Sequence, residues 1–367
     1  MFFVREKLLT ILLILYVILL LYDREFLFKS TSYLEANTLS LIISLLLVSR
    51  GLEFSGFFSR VSKWILEAST GSIAKLSLLI VLSSAISSAI IMNDTSLFIF
   101  IPFIITLSRY TGRLDYLLVI TTISANIGSS LTPIGNPQNI ILWQYYELGF
   151  IEFIYSMLPF FTISLALLLL YLIATVKRLY YGEYYKRTKI PRIRLNLKLF
   201  LTSIILLLIN IILAQLGLQV YGLLLTILTL LIVNKDLVLG LDHALILIFA
   251  LMFMDFREIS YIIDHINLIP QLYNNPHIIM LSSLLSQVIS NVPTTITLIE
   301  HVPVSHWKAL AVGVNLGGVG FLTGSMANII TLRMGNINVR IFHKYALPYF
   351  IILFQVVMLL TLYGIYP

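Results

Sequence analysis

Long apolar runs alternate with short charged or Pro/Gly-rich breaks along the whole chain. Runs at 7–22, 37–50, 115–142, 151–176, 198–215, 219–234, 243–256, 307–332 and 343–365 each cover most or all of a bilayer-crossing helix. The pattern therefore predicts nine spans. Two more apolar stretches, 74–108 and 277–302, are broken in the middle by polar clusters, Asn93-Asp94-Thr95-Ser96 and Ser290-Asn291-Val292-Pro293-Thr294-Thr295. Both are predicted as re-entrant hairpins. A polar turn at membrane depth is tolerated only where protein or a water-filled cavity surrounds it, so two such turns imply a solvated central site. The fold class is all-α membrane protein.

Composition agrees. Of 367 residues 59% are hydrophobic and 11% charged, and mean hydropathy is +0.97, a balance that soluble domains of this length do not sustain. The runs lack the alternation, in segments of about 10 residues, that marks a β-barrel. Cysteine is absent, which excludes disulfides, thiolate metal sites and Cys nucleophiles. Leu9 to Tyr22 is short enough for a signal-peptide core, but Asp23-Arg24-Glu25 follows it in place of a small-residue cleavage site. It is expected to remain as a span.

The net charge of +7 reflects topology rather than a nucleic-acid partner. With the N-terminus cytoplasmic, the inner loops collect most of the Lys and Arg: Arg5, Lys7, Arg60, Lys63, Lys75, Arg109, Arg113, the cluster Lys177 to Lys198, Lys235, Arg333, Arg340 and Lys344. The outer side keeps Arg24, Lys29, Arg257 and Lys308, and Arg50 lies at a boundary. This places the protein in the plasma membrane with the N-terminus and the 177–197 loop inside and the C-terminus outside. A basic loop of this kind could also meet anionic lipid; a cytoplasmic linker is the simpler reading.

Sliding the chain against itself by 189 positions aligns SANIGSSLTPIGNPQNIIL, residues 124–142, with GVNLGGVGFLTGSMANIIT, residues 313–331, without a gap. Asn126/Asn315, Gly128/Gly317, Gly135/Gly324, Asn139/Asn328, Ile140/Ile329 and Ile141/Ile330 coincide. Upstream, the 88–93 segment SAIIMN corresponds to SQVISN at 286–291. The repeating unit is a hairpin followed by an interrupted helix, with five crossings between the two hairpins. An odd number inverts the second unit. The expected organisation is a first inverted repeat over 1–176 (hairpin 74–108, unwound helix 115–142), a basic linker over 177–197, and a second repeat over 198–367 (hairpin 277–302, unwound helix 307–332). Inverted repeats with broken spans point to a secondary transporter with its site at the midplane.

The broken segments carry candidate chemistry. In Thr132-Pro133-Ile134-Gly135-Asn136-Pro137 the prolines remove amide donors and the glycine favours unwinding, which leaves carbonyls unpaired. With the amide oxygens of Asn126 and Asn139 these carbonyls could hold a hard cation such as Na⁺. The helix restarting near Asn136 points a partly positive N-terminus into the same pocket, where an anion is favoured. Gly317, Gly318, Gly320, Gly324 and Ser325 can do the same in the second half. Glycines can also serve only close helix packing, but that explains neither the prolines nor the asparagine pairs. The hairpin tips read as N-caps whose remaining amides and hydroxyls face the cavity. Asp94, an acid at membrane depth, is a candidate proton or cation site. Arg50, Glu53, Asp255, Arg257 and Glu258 are expected near span ends, where long side chains snorkel. HExxH, G-x-S-x-G and P-loop strings are absent, so no enzyme chemistry is indicated.

The strings Asn93-Asp94 ahead of a Pro102-containing helix, SANIGSSLTPIGNPQNIIL, SQVISNVPTTITL and GGVGFLTGSMANII resemble the ion transporter superfamily, in particular its arsenite-permease and citrate-transporter-like branch, over about residues 37–365. The resemblance implies a transport domain of two hairpins and two unwound helices that moves, elevator-like, against a scaffold, usually in a homodimer. Carried over by motif, the first-half substrate and ion positions are Asn93, Asp94, Thr95, Asn126, Gly135, Asn136 and Asn139. Their second-half counterparts are Ser290, Asn291, Thr294, Gly324, Ser325 and Asn328. Thr132 and Asn315 join them from the broken segments. Na⁺ would fall to Asn93, Asn126, Gly135, Asn139, Asn291 and Asn328. This chain departs from the pattern at both tips, in the proline-free LTGSMAN segment, and in having one span fewer before its first hairpin. The expected function is anion permeation, of arsenite, another oxyanion or a di- or tricarboxylate, coupled to Na⁺ or H⁺, with no resident cofactor. A Na⁺/H⁺ antiporter is the alternative.

Overall fold

The computed structural model describes residues 2–111, 114–180, 194–266 and 268–367, with the side chains of 2–6, 109–111 and 177–180 left aside. Most of the basic 177–197 linker thus lies outside the described residues, as do the side chains of Arg5 and Arg109 and the whole of Arg113. Within them the elements are helices, with no strand.

In the first half these are α1 (Phe2–Tyr22), α2 (Phe26–Tyr33), α3 (Ala36–Phe54), α4 (Phe57–Ala68), α5 (Ile73–Ile90), α6 (Asn93–Thr111), α7 (Asp115–Ser129), α8 (Pro137–Tyr145) and α9 (Phe150–Tyr180). The second half holds α10 (Leu197–Gln215), α11 (Gln219–Leu239), α12 (His243–His265), α13 (Asn275–Ile289), α14 (Asn291–Leu298), α15 (Trp307–Gly317), α16 (Met326–Met334) and α17 (Val339–Leu362). Six of them, α3, α5, α9, α10, α11 and α17, are long and apolar enough to cross a membrane. On α10, Leu201, Ile205, Leu208 and Ile212 make an exposed stripe at helical spacing, and Leu224, Leu228 and Ile232 make another on α11. Such faces suit hydrocarbon rather than water.

The interruptions fall where the sequence placed them. Stretch 74–108 divides into α5 and α6 across an extended Ile91, and 277–302 divides into α13 and α14 at Ser290. Run 115–142 divides into α7 and α8, and run 307–332 into α15 and α16, each across an irregular segment. Pro137 starts α8 at its first turn, where its missing N–H costs nothing, and Asn136 caps it by accepting the Asn139 N–H at 2.9 Å. The run that was predicted to end at 234 continues to Leu239, but its backbone leaves helical geometry at Asn234 (φ −162°, ψ 91°).

Two short helices were not foreseen. α2 is about two turns of mixed polarity, and α4 is amphipathic, burying Phe58 and Ile65. Helix α12 is a correction of another kind. It runs nine residues past the expected end at 256, so Asp255 and Glu258 lie inside a helix and are fully buried, not snorkelling at a span end.

Helix α5 packs along α7 and α13 along α15; α3 packs with α10 and α11, and α12 with α1, α2 and α14. The first two pairs approach closely through small residues. A Cβ on Gly128 would stand 2.1 Å from the Ala85 carbonyl oxygen, and one on Gly317 would stand 2.8 Å from the Ser283 carbonyl oxygen. Ser124 Oγ donates to the Val81 carbonyl at 2.6 Å, while at Gly313 a Cβ would come 3.0 Å from the Ile279 carbonyl. Without hydrophobic drive between helices in lipid, such contacts carry the association. Gly128→Ala is expected to destabilise the protein by roughly 1–3 kcal/mol, since the opposing atom is backbone and cannot rotate away. Gly149→Ala, where a Cβ meets nothing closer than 3.4 Å, should leave stability unchanged. Thermal unfolding in detergent compares the two.

Candidate substrate and ion site

The two broken helices leave backbone groups unpaired in an apolar interior, and four asparagines satisfy them. Asn139 Nδ2 donates to the carbonyls of Ser129 (3.1 Å) and Thr132 (3.0 Å), which tie off the break between α7 and α8. Asn328 Nδ2 donates in the same way to Gly318 (3.0 Å) and Phe321 (2.9 Å) between α15 and α16. Each of these acceptors is 189 positions from its counterpart.

The halves are then cross-linked. Asn126 Nδ2 donates to Asn328 Oδ1 at 3.0 Å and to the Gly318 carbonyl at 2.9 Å, and Asn315 Nδ2 donates to Asn139 Oδ1 at 2.8 Å. Asn136 Nδ2 donates to Asn315 Oδ1 at 3.0 Å, and the Ser325 hydroxyl, at the equivalent position, to Asn126 Oδ1 at 3.4 Å. The first hairpin tip joins through Asn93, whose Nδ2 donates to Asn126 Oδ1 (3.0 Å) and whose N–H donates to the Gly135 carbonyl (2.9 Å). All of these asparagines are at least nine-tenths buried. A fully connected buried network of this kind is rigid, because every broken member leaves a desolvated partner.

The remaining expected residues fall in or beside it. Thr132 Oγ1 donates to the Ala89 carbonyl at 2.6 Å, and Thr294 Oγ1 to the Ser290 carbonyl at 2.8 Å. Thr95 is buried in the first turn of α6, and Gly324 lets its segment lie against the Gly317 carbonyl, where a Cβ would stand at 2.4 Å. Asn93 and Asn291 Oδ1 accept the next residue's N–H at 3.0 and 2.9 Å. Ser290 has φ 80° and ψ 157°, a region nearly reserved for glycine, and it sits at the second tip.

Asn93, Asp94, Ser290, Asn291 and Ser325 line a cavity of about 500 Å³, together with Pro137 and Gln138. The starts of α6, α8, α14 and α16 thus open onto one space. Its opposite wall is apolar, formed by Leu8, Ile11, Leu12 and Leu15 of α1 and by Phe249, Met252 and Phe256 of α12, and Lys7 and Arg333 also border it. Four partly positive helix ends and two cations surround the cavity with positive potential, offset in part by the Asp94 carboxyl group at the start of α6. Asn126, Asn136, Asn139, Asn315 and Asn328 stand behind the cavity, supporting its surface.

The same geometry bears on Na⁺. Among the described residues no cluster of three His, Asp or Glu could hold a metal. The amide oxygens of Asn93, Asn126, Asn139, Asn291 and Asn328, and the Gly135 carbonyl, each already accept an N–H. Asn126 Oδ1 and Asn291 Oδ1 also accept the Ser325 and Ser290 hydroxyls at 3.4 Å, so both lone pairs of each are engaged, and a cation among these oxygens would have to displace hydrogen bonds already made.

Sequence reasoning missed Gln287, Lys7 and Arg333. Gln287 Nε2 donates to the Gly317 carbonyl at 2.6 Å, and its Oε1 accepts the Phe321 N–H, so it braces the second break from α13. An amide inside an apolar helix three residues before a polar tip was the available signal.

A sequence profile of the citrate transporter family matches residues 1–305. The chain belongs to this family. It is 32% identical to an uncharacterized transporter of Methanocaldococcus jannaschii over 84% of this chain and 83% of that one. It is also 32% identical to the inner membrane protein YbiR of Escherichia coli, over 86% of this chain and 84% of the relative. A shorter match, 32% over 34% of this chain and 26% of the other, is to the silicon efflux transporter LSI3 of rice, Oryza sativa subsp. japonica. The chain is therefore a multi-pass membrane transporter of the ion transporter superfamily and not an enzyme, as its motifs indicated.

Asn126→Ala would leave Asn93 Nδ2 and Asn328 Oδ1 without their partner, while Asn328 still serves the Gly318 carbonyl, and is expected to cost about 2 kcal/mol or more. Because Asn126 and Asn328 share one network, the double substitution should cost less than the sum of the singles, by roughly 0.5–3 kcal/mol. Unfolding of the four proteins in one detergent measures this. Ser290→Gly, by removing the Cβ from a strained φ, should raise stability by about 1 kcal/mol in the same assay.

Proposed function

We propose that this member of the citrate transporter family is a secondary active transporter that carries an anion by alternating access, coupled to Na⁺ or H⁺. The observation that carries the reading is the meeting of four helix N-termini, with Lys7 and Arg333, on one cavity of about 500 Å³. A carboxylate or other oxyanion there gains from the positive ends of four helices and from two cations at the cavity's border. Two cations favour an anion with more than one negative charge, such as a di- or tricarboxylate, over a neutral oxyacid. The family's description as citrate transporters points the same way.

The transport body in this reading is the pair of inverted repeats, 1–176 and 198–367, with nine spans and two re-entrant hairpins. Hydrogen bonds related by the 189-position offset support the repeat, and the asparagine cross-links support movement of both broken helices as one unit. That unit would slide, elevator-like, against α3, α10 and α11, in a homodimer in the plasma membrane, with the 177–197 linker inside and the C-terminus outside. Lys7 and Arg333 both belong to the side this reading assigns to the cytoplasm, and on that assignment the cavity opens inward.

The test is flux in proteoliposomes with citrate, succinate, sulfate and arsenite under separately imposed Na⁺ and pH gradients. Citrate or succinate is expected to move, driven by one of the two gradients. If no anion moves and a Na⁺ gradient shifts internal pH instead, the protein is an antiporter and Asp94, at the cavity wall, becomes its centre. For the carried anion, Arg333→Gln should raise KM about fivefold, equivalent to about 1 kcal/mol of lost attraction, with little change in the maximal rate.

A further inference from the structure

Beyond the cavity, two acids stand out on α12. Asp255 and Glu258 are fully buried, and neither oxygen of either carboxyl group has a hydrogen-bond partner. Three residues apart, they lie on one side of the helix, one above the other. Asp255 directly precedes Phe256 and follows Met252 by three, and both of these line the substrate cavity. The other acid, Glu258, is nearer the end of α12 where the chain turns from α1 into α2, and Tyr33, Asp23 and Lys29 are its polar neighbours.

An ionised carboxyl group removed from water and from every partner is too costly to persist, so Asp255 is stable only while it holds a proton; Glu258, beside the charged Asp23, is held protonated by burial and by that neighbouring carboxylate. The groups that could change this are accounted for. On α2, Lys29 is paired with Asp23 at 2.9 Å, and it holds Asp23 below the usual carboxylate range, so Asp23 stays charged at the surface. Tyr16 of α1 is bonded to Ser30 at 3.2 Å, and Lys7 of α1 borders the cavity. At the start of α3 Glu35 is bound to Arg257, as is Glu300 beyond α14, and Arg50 of α3 donates to the Gly240 carbonyl ahead of α12. Among the described residues no cation is paired with Asp255.

We propose that Asp255, reached through Glu258 from the surface marked by Asp23 and Lys29, is a proton-binding site of the transport cycle. Both carboxyl groups are protonated at rest: when α1 or α12 shifts from the cavity wall the Asp255 O–H bond breaks and its proton goes to cavity water, the proton of Glu258 then passes to the Asp255 carboxylate, and water at the Asp23–Lys29 surface returns a proton to the Glu258 carboxylate. This rests on the reading of the chain as a coupled carrier and names H⁺ as a coupling ion. It also places the coupling site apart from the asparagine network, so anion binding and proton binding are separable by substitution.

The experiment uses the full chain in proteoliposomes with labelled citrate, together with infrared spectra of the same preparations. In the wild type an inward gradient of one pH unit should raise steady citrate accumulation, up to tenfold for each proton carried. Asp255→Asn should remove that response while exchange of citrate for citrate across the membrane continues within about twofold, and Asp255→Glu should restore part of it. The wild-type carboxylic-acid C=O band should lose intensity in Asp255→Asn. Accumulation and proton influx equal to wild type in Asp255→Asn, or an unchanged C=O band, would overturn the proposal. If wild type moves no citrate, the anion reading is what has failed, and the infrared band still decides whether Asp255 carries a proton.

Discussion

Two helices that break inside an apolar protein expose backbone carbonyls and N–H groups where water cannot satisfy them, and everything else in this structure follows from how those groups are paired. The pairing is done by amide side chains, which donate and accept at once. Asn139 and Asn328 close the breaks, and Asn126 and Asn315 bind the closers of the opposite half. Carboxylates could not do this without importing charge, and hydroxyls are too short to reach two segments. The result is a rigid centre in which both halves hold each other, and it explains why an otherwise Leu- and Ile-rich chain invests so many asparagines within two short strings.

A rigid centre has a functional consequence at its surface. With the breaks tied off from behind, the starts of α6, α8, α14 and α16 are held facing one cavity. Their combined dipoles supply a positive site that does not depend on a deeply buried Lys or Arg, whose desolvation would oppose movement across a membrane. The cations that do border the cavity, Lys7 and Arg333, are exposed, which suits attraction of an anion more than its retention. In the proposal above, coupling chemistry sits on α12, apart from the helix starts, so that one element would read the proton and another hold the anion.

Much of this was legible in the sequence because its signals are local. The strings TPIGNPQN and LTGSMAN announced the breaks through proline, glycine and capping residues, and the 189-position offset between Asn126 and Asn315 anticipated the related hydrogen bonds. Apolar run length located most helices to within a few residues. The failures are tertiary. Asp255 and Glu258 resemble the charges that mark a helix end, and only the packing of α1 and α2 against α12 buries them. Lys7 and Arg333 are distant in sequence and belong to no motif; the fold alone brings both to the cavity. Helix α4 was missed because its apolar residues serve one face and do not form a run.

The central claim is that an anion sits where the four helix starts meet. Since the chain has no cysteine, Ser290→Cys creates a single thiol at the cavity, and its labelling by a water-soluble maleimide can be followed with and without the transported anion. The account predicts that the anion slows labelling at Ser290→Cys in proportion to its occupancy, with no effect on an equivalent thiol at the exposed Ser32. Labelling at Ser290→Cys that is indifferent to saturating concentrations of an anion the protein transports would contradict it.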